Sequence, residues 1–115
     1  LGLKTACLTR VGHDAAAREI AHILKNERVD TSLMIHGKEH TAYSTILLTK
    51  TGERTVLVYR GASAHFQVKE IPWGKVKARW FYVSSLGGNL SLLKKIFSFE
   101  RPSSVPRRSE RRDRR

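Results

Sequence analysis

The spacing of apolar and polar positions changes several times along the chain, and each change marks a predicted element. Residues 3–11 form an apolar-rich run that predicts a buried strand, and Gly12 ends it. Asp14 follows as a candidate N-cap, because a carboxylate can accept hydrogen bonds from the first free amides of a helix. The apolar residues behind it recur on one helical face: Ala17, Ile20, Ala21 and Leu24. Strand, glycine turn and helix make the first half of a βαβ unit.

A second group of strands follows this helix. Residues 29–36 predict a short strand, and residues 41–50 and 54–60 predict the two arms of a β-hairpin around a Lys50–Glu53 turn. In the second arm, Val56 and Val58 alternate with Thr55, Leu57 and Tyr59, so both faces of this strand are largely apolar. The hairpin is therefore expected to be covered on at least one side.

The last patterned region predicts a strand, a loop and a helix. Residues 79–85 form a compact apolar run that predicts a strand. Trp73, Trp80 and Phe81 lie in strand or proline-linked apolar contexts and are assigned to the core. Residues 90–97 predict a helix that packs Leu93 and Phe97 inward.

Composition adds a basic tail to this picture. The chain has 115 residues, and 22 Lys and Arg against 10 Asp and Glu give it a net charge of +12. Residues 101–115 hold seven arginines against Glu110 and Asp113, a net charge of +5. From Ser98 onward the segment has almost no apolar residues, so it cannot offset the entropy of ordering. We therefore expect one domain over residues 1–97 and a disordered Arg-rich tail over residues 98–115.

The cysteine content and the lengths of the apolar runs limit the expected cellular location. Cys7 is the single cysteine, which excludes a disulfide framework and a Cys-based metal site and favours a reducing, cytoplasmic location. The longest apolar runs fall well short of the roughly 20 residues that cross a bilayer, so no membrane association is expected.

The order of these segments resembles the PfkB, or ribokinase-like, family of carbohydrate kinases over residues 1–97. Gly2 and Gly12 look like the last two glycines of that family's first signature, and Asp14 completes its "GxD" element. Two departures are visible. Ala17 stands where the family usually has glycine, and Ser63 stands where asparagine is frequent.

The resemblance implies a fold and an activity. The fold would be α/β, a partial ribokinase-like Rossmann-type sheet flanked by helices, with residues 41–60 as a β-hairpin lid over the sugar. Tyr59, Arg60, Gly61 and Ala62 would contact the substrate at the end of the lid, where a guanidinium can pair with a carboxylate. Family members use ATP and Mg²⁺ to phosphorylate a sugar or nucleoside hydroxyl.

The resemblance also implies what this chain lacks. The catalytic base of the family is an Asp in a late "GAGD"-type segment, and the sequence contains no such segment. No catalytic residue is therefore assigned, the ATP site is expected to be absent, and the chain is expected to be inactive alone.

Several alternatives stay open from the residues. Arg60 can equally be an edge-strand arginine that discourages aggregation, and Gly61 with Ala62 can be a plain turn. The tail can bind nucleic acid without sequence preference, which makes a small basic nucleic-acid-binding module the alternative function. Exposed apolar faces on the lid can also form a homodimer interface.

Two weaker motifs point to sites that we do not adopt. His36 and His40 are four residues apart, but Gly37 between them indicates a loop, so no metal site is assigned. Residues 87–89 could present amides to an anion at a helix start, although a plain turn explains them better.

Overall fold

The computed structural model describes residues 2–99. The described residues fall into two compact units, residues 2–73 and residues 74–99. The predicted tail lies outside the described residues except for Ser98 and Phe99, so its disorder and its binding role stay predictions. No helix within residues 2–99 has the length and apolar character needed to cross a membrane.

The N-terminal unit is built on a βαβ arrangement. Its elements are β1 at Thr5–Ala6, β2 at Arg10–Val11, helix α1 at Ala15–Asn26, β3 at Val29–Asp30 and β4 at Ile35–His36. Strand β1 pairs in parallel with β3, and β2 pairs in parallel with β4. The predicted βαβ unit is confirmed, because α1 connects parallel strands.

The strands predicted over residues 3–11 and 29–36 are each divided into two short strands, β1 with β2 and β3 with β4, so the prediction of one continuous strand over residues 3–11 was wrong in extent. In the segment between β3 and β4, the Ser32 amide donates to Asp30 Oδ1 at 2.8 Å and the Met34 amide donates to the Thr31 carbonyl at 3.0 Å. Asp favours such turns because its side chain binds the backbone two residues further on. The prediction of one continuous strand over residues 29–36 was therefore wrong in extent.

A small apolar core is formed by residues from several segments of the N-terminal unit. The buried apolar side chains of the N-terminal unit are Val11, Ala17, Leu33, Ala62 and Ile71. Ile20, Ala21 and Leu24 of α1 are partly buried, whereas Arg18 and Glu19 are exposed. The amphipathic pattern of this helix is thus confirmed.

The predicted hairpin forms and stands clear of the core. Strands β5 at Tyr43–Leu48 and β6 at Arg54–Tyr59 are antiparallel, with Tyr43 opposite Tyr59 and Leu48 opposite Arg54. Gly52 has a φ of +89°, which allows the turn between them. Every residue of both strands is exposed, so the expected cover on one side is not found in the described chain.

The C-terminal unit departs most from expectation. Helix α2 spans Leu90–Phe97 as predicted, but Leu92 is its buried residue and Phe97 is 80% exposed. Residues 79–85 form no strand, and Trp80 and Phe81 are exposed rather than in the core. A strand requires a hydrogen-bonded neighbour, and the described pairings offer none to this segment. Three predictions were therefore wrong: a strand over residues 79–85, core positions for Trp80 and Phe81, and an inward position for Phe97.

A test of this fold is the substitution of Gly12. A Cβ at Gly12 would clash with the Glu39 carbonyl oxygen and would lie 2.8 Å from the Thr41 amide nitrogen. Because both neighbours are backbone atoms, Gly12→Ala is expected to destabilise the N-terminal unit by about 1–3 kcal/mol. Denaturant unfolding followed by circular dichroism measures this loss.

Gly74→Ala is the matched control, since a Cβ there would meet no atom within 4 Å. It should unfold within about 0.5 kcal/mol of the wild-type chain. Equal stability of the two variants would contradict the close approach at Gly12.

Candidate functional site at the base of the hairpin

The two ends of the hairpin meet at one place, which we call the hairpin base and define as residues 39–41 and 60–62. The Ala62 amide donates to the His40 carbonyl oxygen at 2.8 Å and so joins the two sides. Gly61 has a φ of +43°, and a Cβ there would clash with the same carbonyl. A residue without a side chain is therefore required at Gly61 for the two sides to meet.

Asp14 attaches helix α1 to this base. Its Oδ1 accepts a hydrogen bond from the Ala17 amide at 2.9 Å, which makes it the N-cap that the sequence predicted. The same carboxylate accepts from the Thr41 amide at 2.7 Å and the Thr41 hydroxyl at 2.6 Å. The Gly12 amide in turn donates to the Thr41 hydroxyl oxygen at 3.0 Å. One carboxylate therefore joins α1 and the start of the hairpin.

This arrangement favours the charged form of Asp14. The Thr41 hydroxyl, the Thr41 amide and the Ala17 amide, in that order, hold the pKa of this carboxyl well below its usual range. His40 Nδ1 lies 3.5 Å from Asp14 Oδ2, although the His40 side chain is 83% exposed.

Arg10 contacts both segments of the hairpin base. Its guanidinium contacts Glu39, Glu70 and the Ala62 carbonyl oxygen, and its side chain is 9% exposed. The Glu39 pKa is lowered by its own backbone amide and then by this arginine. Sequence reasoning missed Arg10, Thr41, Glu39 and Glu70. The only available signal was a charged residue inside the apolar run of residues 3–11.

The predicted substrate residues lie at the end of the hairpin with different exposures. Tyr59 ends β6 at 40% exposure, and its ring centroid lies 5.3 Å from that of Tyr43. Arg60 is exposed, and its carbonyl accepts from the Ser63 amide and hydroxyl. Ala62 is fully buried, with its amide and carbonyl bound inside the chain. Their assignment to substrate binding stays a prediction.

The residues of the predicted family signature do not all lie at the hairpin base. Gly12 and Asp14 both lie at the hairpin base, through their contacts with Thr41. Gly2 is exposed, with no neighbour within 4 Å of a Cβ placed on it. The structure therefore brings Gly12, Asp14, Gly61 and Ala62 together and leaves Gly2 apart.

The histidines show no metal geometry. His36 Nδ1 contacts the Gly12 carbonyl at 2.9 Å, and its ring stacks on His13 with centroids 4.9 Å apart. Within residues 2–99, no three His, Cys, Asp or Glu side chains are grouped so that they could hold a metal ion.

Comparison with known proteins identifies the family. The pfkB family carbohydrate kinase profile matches residues 1–98 of the chain. This chain belongs to the pfkB family of carbohydrate kinases. No curated protein matches the sequence. The family match confirms the resemblance drawn from Gly2, Gly12, Asp14 and the order of the strands.

Solved structures support the ribokinase-like fold of this pfkB-family chain. A ribokinase from Thermotoga maritima is 19% identical with a TM-score of 0.56, and the match covers 63% of this chain and 24% of that one. An uncharacterised sugar kinase from Pyrococcus horikoshii is 24% identical with a TM-score of 0.55, covering 64% and 24%. A nucleoside kinase from Methanocaldococcus jannaschii is 22% identical with a TM-score of 0.51, covering 70% and 25%. The matches span about a quarter of each of these structures.

Removal of the Asp14 charge tests the link between α1 and the hairpin. A lowered folded pKa contributes stability above the unfolded value of about 3.9, and that stability is lost as pH falls toward the folded value. Asp14→Asn is therefore expected to unfold at lower denaturant concentration than wild type at pH 7. The difference should narrow progressively below about pH 4.

Glu19→Gln provides the control, because it removes one negative charge from an exposed position of the same helix. It should show neither the loss at pH 7 nor the narrowing at low pH. An Asp14→Asn difference that is constant from pH 7 to pH 3 would contradict the role of the carboxylate charge.

Proposed function

We propose that the chain supplies the sugar-facing lid of an ATP-dependent carbohydrate or nucleoside kinase, as a piece of a longer protein. The observation that carries the proposal is the hairpin β5–β6, anchored to the βαβ core at its base in a chain whose residues 1–98 match the family. A lid of this kind excludes water from the transfer step and so limits hydrolysis of ATP.

The substrate-contacting residues of this proposal lie where β6 ends. Tyr59 offers a partly exposed aromatic ring and Arg60 an exposed guanidinium. A guanidinium pairs well with a carboxylate, so a sugar acid is the substrate that Arg60 would favour. Gly61 and Ala62 act by their backbone, because their close contact with His40 fixes the direction in which the chain leaves the strand.

The family implies ATP and Mg²⁺, and the described residues do not fit them. The N-terminus of α1 is capped by the Asp14 carboxylate, which would repel a phosphate. The N-terminus of α2 is capped by the Asn89 side chain, which accepts from the Leu92 amide at 3.0 Å. Within residues 2–99, no three His, Cys, Asp or Glu side chains are grouped so that they could hold a metal ion by themselves. We therefore assign no step of phosphoryl transfer to these residues, and the missing "GAGD"-type Asp is consistent with an inactive chain.

Substitution of Arg60 tests the proposal. We expect the chain to bind gluconate, and Arg60→Met to weaken that binding about tenfold or more through loss of a charge-assisted hydrogen bond. Titration of gluconate against backbone amide NMR signals measures the dissociation constant and shows which residues shift. No sugar phosphate is expected when MgATP is added.

Arg54→Met is the matched control, since Arg54 is an exposed arginine at the opposite end of β6. It should bind gluconate as wild type does. Failure of the wild-type chain to bind, or an equal loss in both variants, would contradict the assigned site. Turnover of ATP with a sugar would contradict the absence of catalytic groups.

The exposed hairpin favours a second copy of this chain as its partner, in a homodimer formed through the lid. Apolar side chains remain exposed on both faces, among them Ile46 at 56%, Leu57 at 55% and Val58 at 58%. An isolated two-stranded hairpin is only marginally stable, so covering one face with a second copy would stabilise it.

Analytical ultracentrifugation over a range of concentrations checks this interface. The chain is expected to sediment as a dimer at high concentration, and Ile46→Lys is expected to weaken association at least about tenfold by placing a charge on an apolar face. Thr51→Lys adds the same charge at the exposed turn and should leave association unchanged. A wild-type chain that stays monomeric throughout would contradict the proposal.

A further inference from the structure

Arg10 is a charged side chain held almost entirely inside the N-terminal unit. Its side chain is 9% exposed, so it has lost most of its contact with water. A buried charge of this kind is costly unless nearby acceptors replace the lost water. Arg10 has three such acceptors, and each lies on a different segment of the chain.

Two of these contacts are made to the two segments of the hairpin base. Arg10 Nη1 donates to Glu39 Oε2 at 2.9 Å and to the Ala62 carbonyl oxygen at 2.6 Å. Glu39 precedes His40, whose carbonyl accepts the Ala62 amide at 2.8 Å. A single guanidinium nitrogen thus holds both sides of the hairpin base together, next to the backbone hydrogen bond that joins them.

The third contact fixes the guanidinium itself. Arg10 Nε donates to Glu70 Oε1 at 3.3 Å, while Glu70 Oε2 accepts from the Gln67 amide at 2.9 Å. Gly37 lies against the guanidinium, since a Cβ at Gly37 would lie 2.6 Å from the central guanidinium carbon. The position of the charge is therefore set from several sides, as a group that orients another group requires.

We propose that Arg10 is a positioning residue for the candidate sugar site, acting through the Ala62 carbonyl oxygen to hold residues 60–62 in their observed conformation. This rests on the proposed function, because it gives Arg10 a role in presenting Arg60 to a sugar acid. Arg10 does not contact substrate. A loose hairpin base would let Arg60 sample many directions, and ordering it on binding would reduce affinity.

The planar guanidinium is what the geometry requires. Arginine presents several N–H donors in a fixed plane, whereas lysine offers a compact point charge on a flexible stem. Nε of Arg10 donates to Glu70, and Nη1 donates to Glu39 and Ala62. A single ammonium group could not reach all of these acceptors with the same geometry. Lysine at this position is therefore expected to retain charge and lose part of the orientation.

Amide hydrogen exchange and gluconate titration of the full chain test the proposal on the same samples. In Arg10→Met, the Ala62 amide is expected to exchange at least about tenfold faster than in wild type, while amides in α1 change far less. Gluconate affinity should fall at least about tenfold under conditions where the variant is folded. Arg10→Lys should give intermediate values in both measurements and serves if Arg10→Met fails to fold.

Arg18→Met is the control, because Arg18 is an exposed arginine on α1, and it should match wild type in both measurements. A uniform acceleration of the Ala62 and α1 amides would show a purely global contribution to stability and overturn the proposal. An unchanged Ala62 amide would overturn it as well. A wild-type chain that binds no gluconate would contradict the proposed function, and the exchange result would still decide whether Arg10 holds residues 60–62.

Discussion

The N-terminal unit depends on the Asp14 carboxylate, which serves two elements at once. It accepts the Ala17 amide at the start of α1 and both the amide and the hydroxyl of Thr41 before β5. A helix start leaves amides without partners, and a chain entering a hairpin also has polar groups to satisfy. One side chain satisfies both needs. The direction in which the hairpin leaves the core is consequently tied to the direction of α1.

Near this carboxylate, the hairpin base is held to the rest of the N-terminal unit by several contacts, whereas the two strands beyond the base are exposed. Gly12 and Gly61 allow backbone segments to approach more closely than any side chain would permit, and Arg10 binds both segments of the base through Glu39 and Ala62. Above the base, all residues of β5 and β6 are exposed. The proposed lid function would use this arrangement, since a lid covers its ligand while its base keeps its position on the core.

The sequence predicted the elements that have strong local signals. Helix α1 has an N-cap and an apolar stripe, α2 has a regular apolar spacing, and the hairpin has β-branched arms around a glycine turn. Each of these signals lies within a few residues of the element that it specifies. The family could be inferred in the same way, because Gly12, Asp14 and the order of strands are properties of the linear chain. Arg10 gave no comparable signal, since its partners Glu39, Ala62 and Glu70 are 29, 52 and 60 residues away.

The sequence by itself thus determined the helices, the hairpin and the family. Only the tertiary structure decided that residues 79–85 form no strand, since pairing depends on a neighbour that no local pattern reveals. It also decided that Gly12, Asp14, Gly61 and Ala62 lie together at the hairpin base, where Arg10 and Thr41 bind the same segments. The physical reason is that hydrogen bonds and close contacts between distant segments depend on how the chain packs, whereas caps, turns and periodicity depend on adjacent residues.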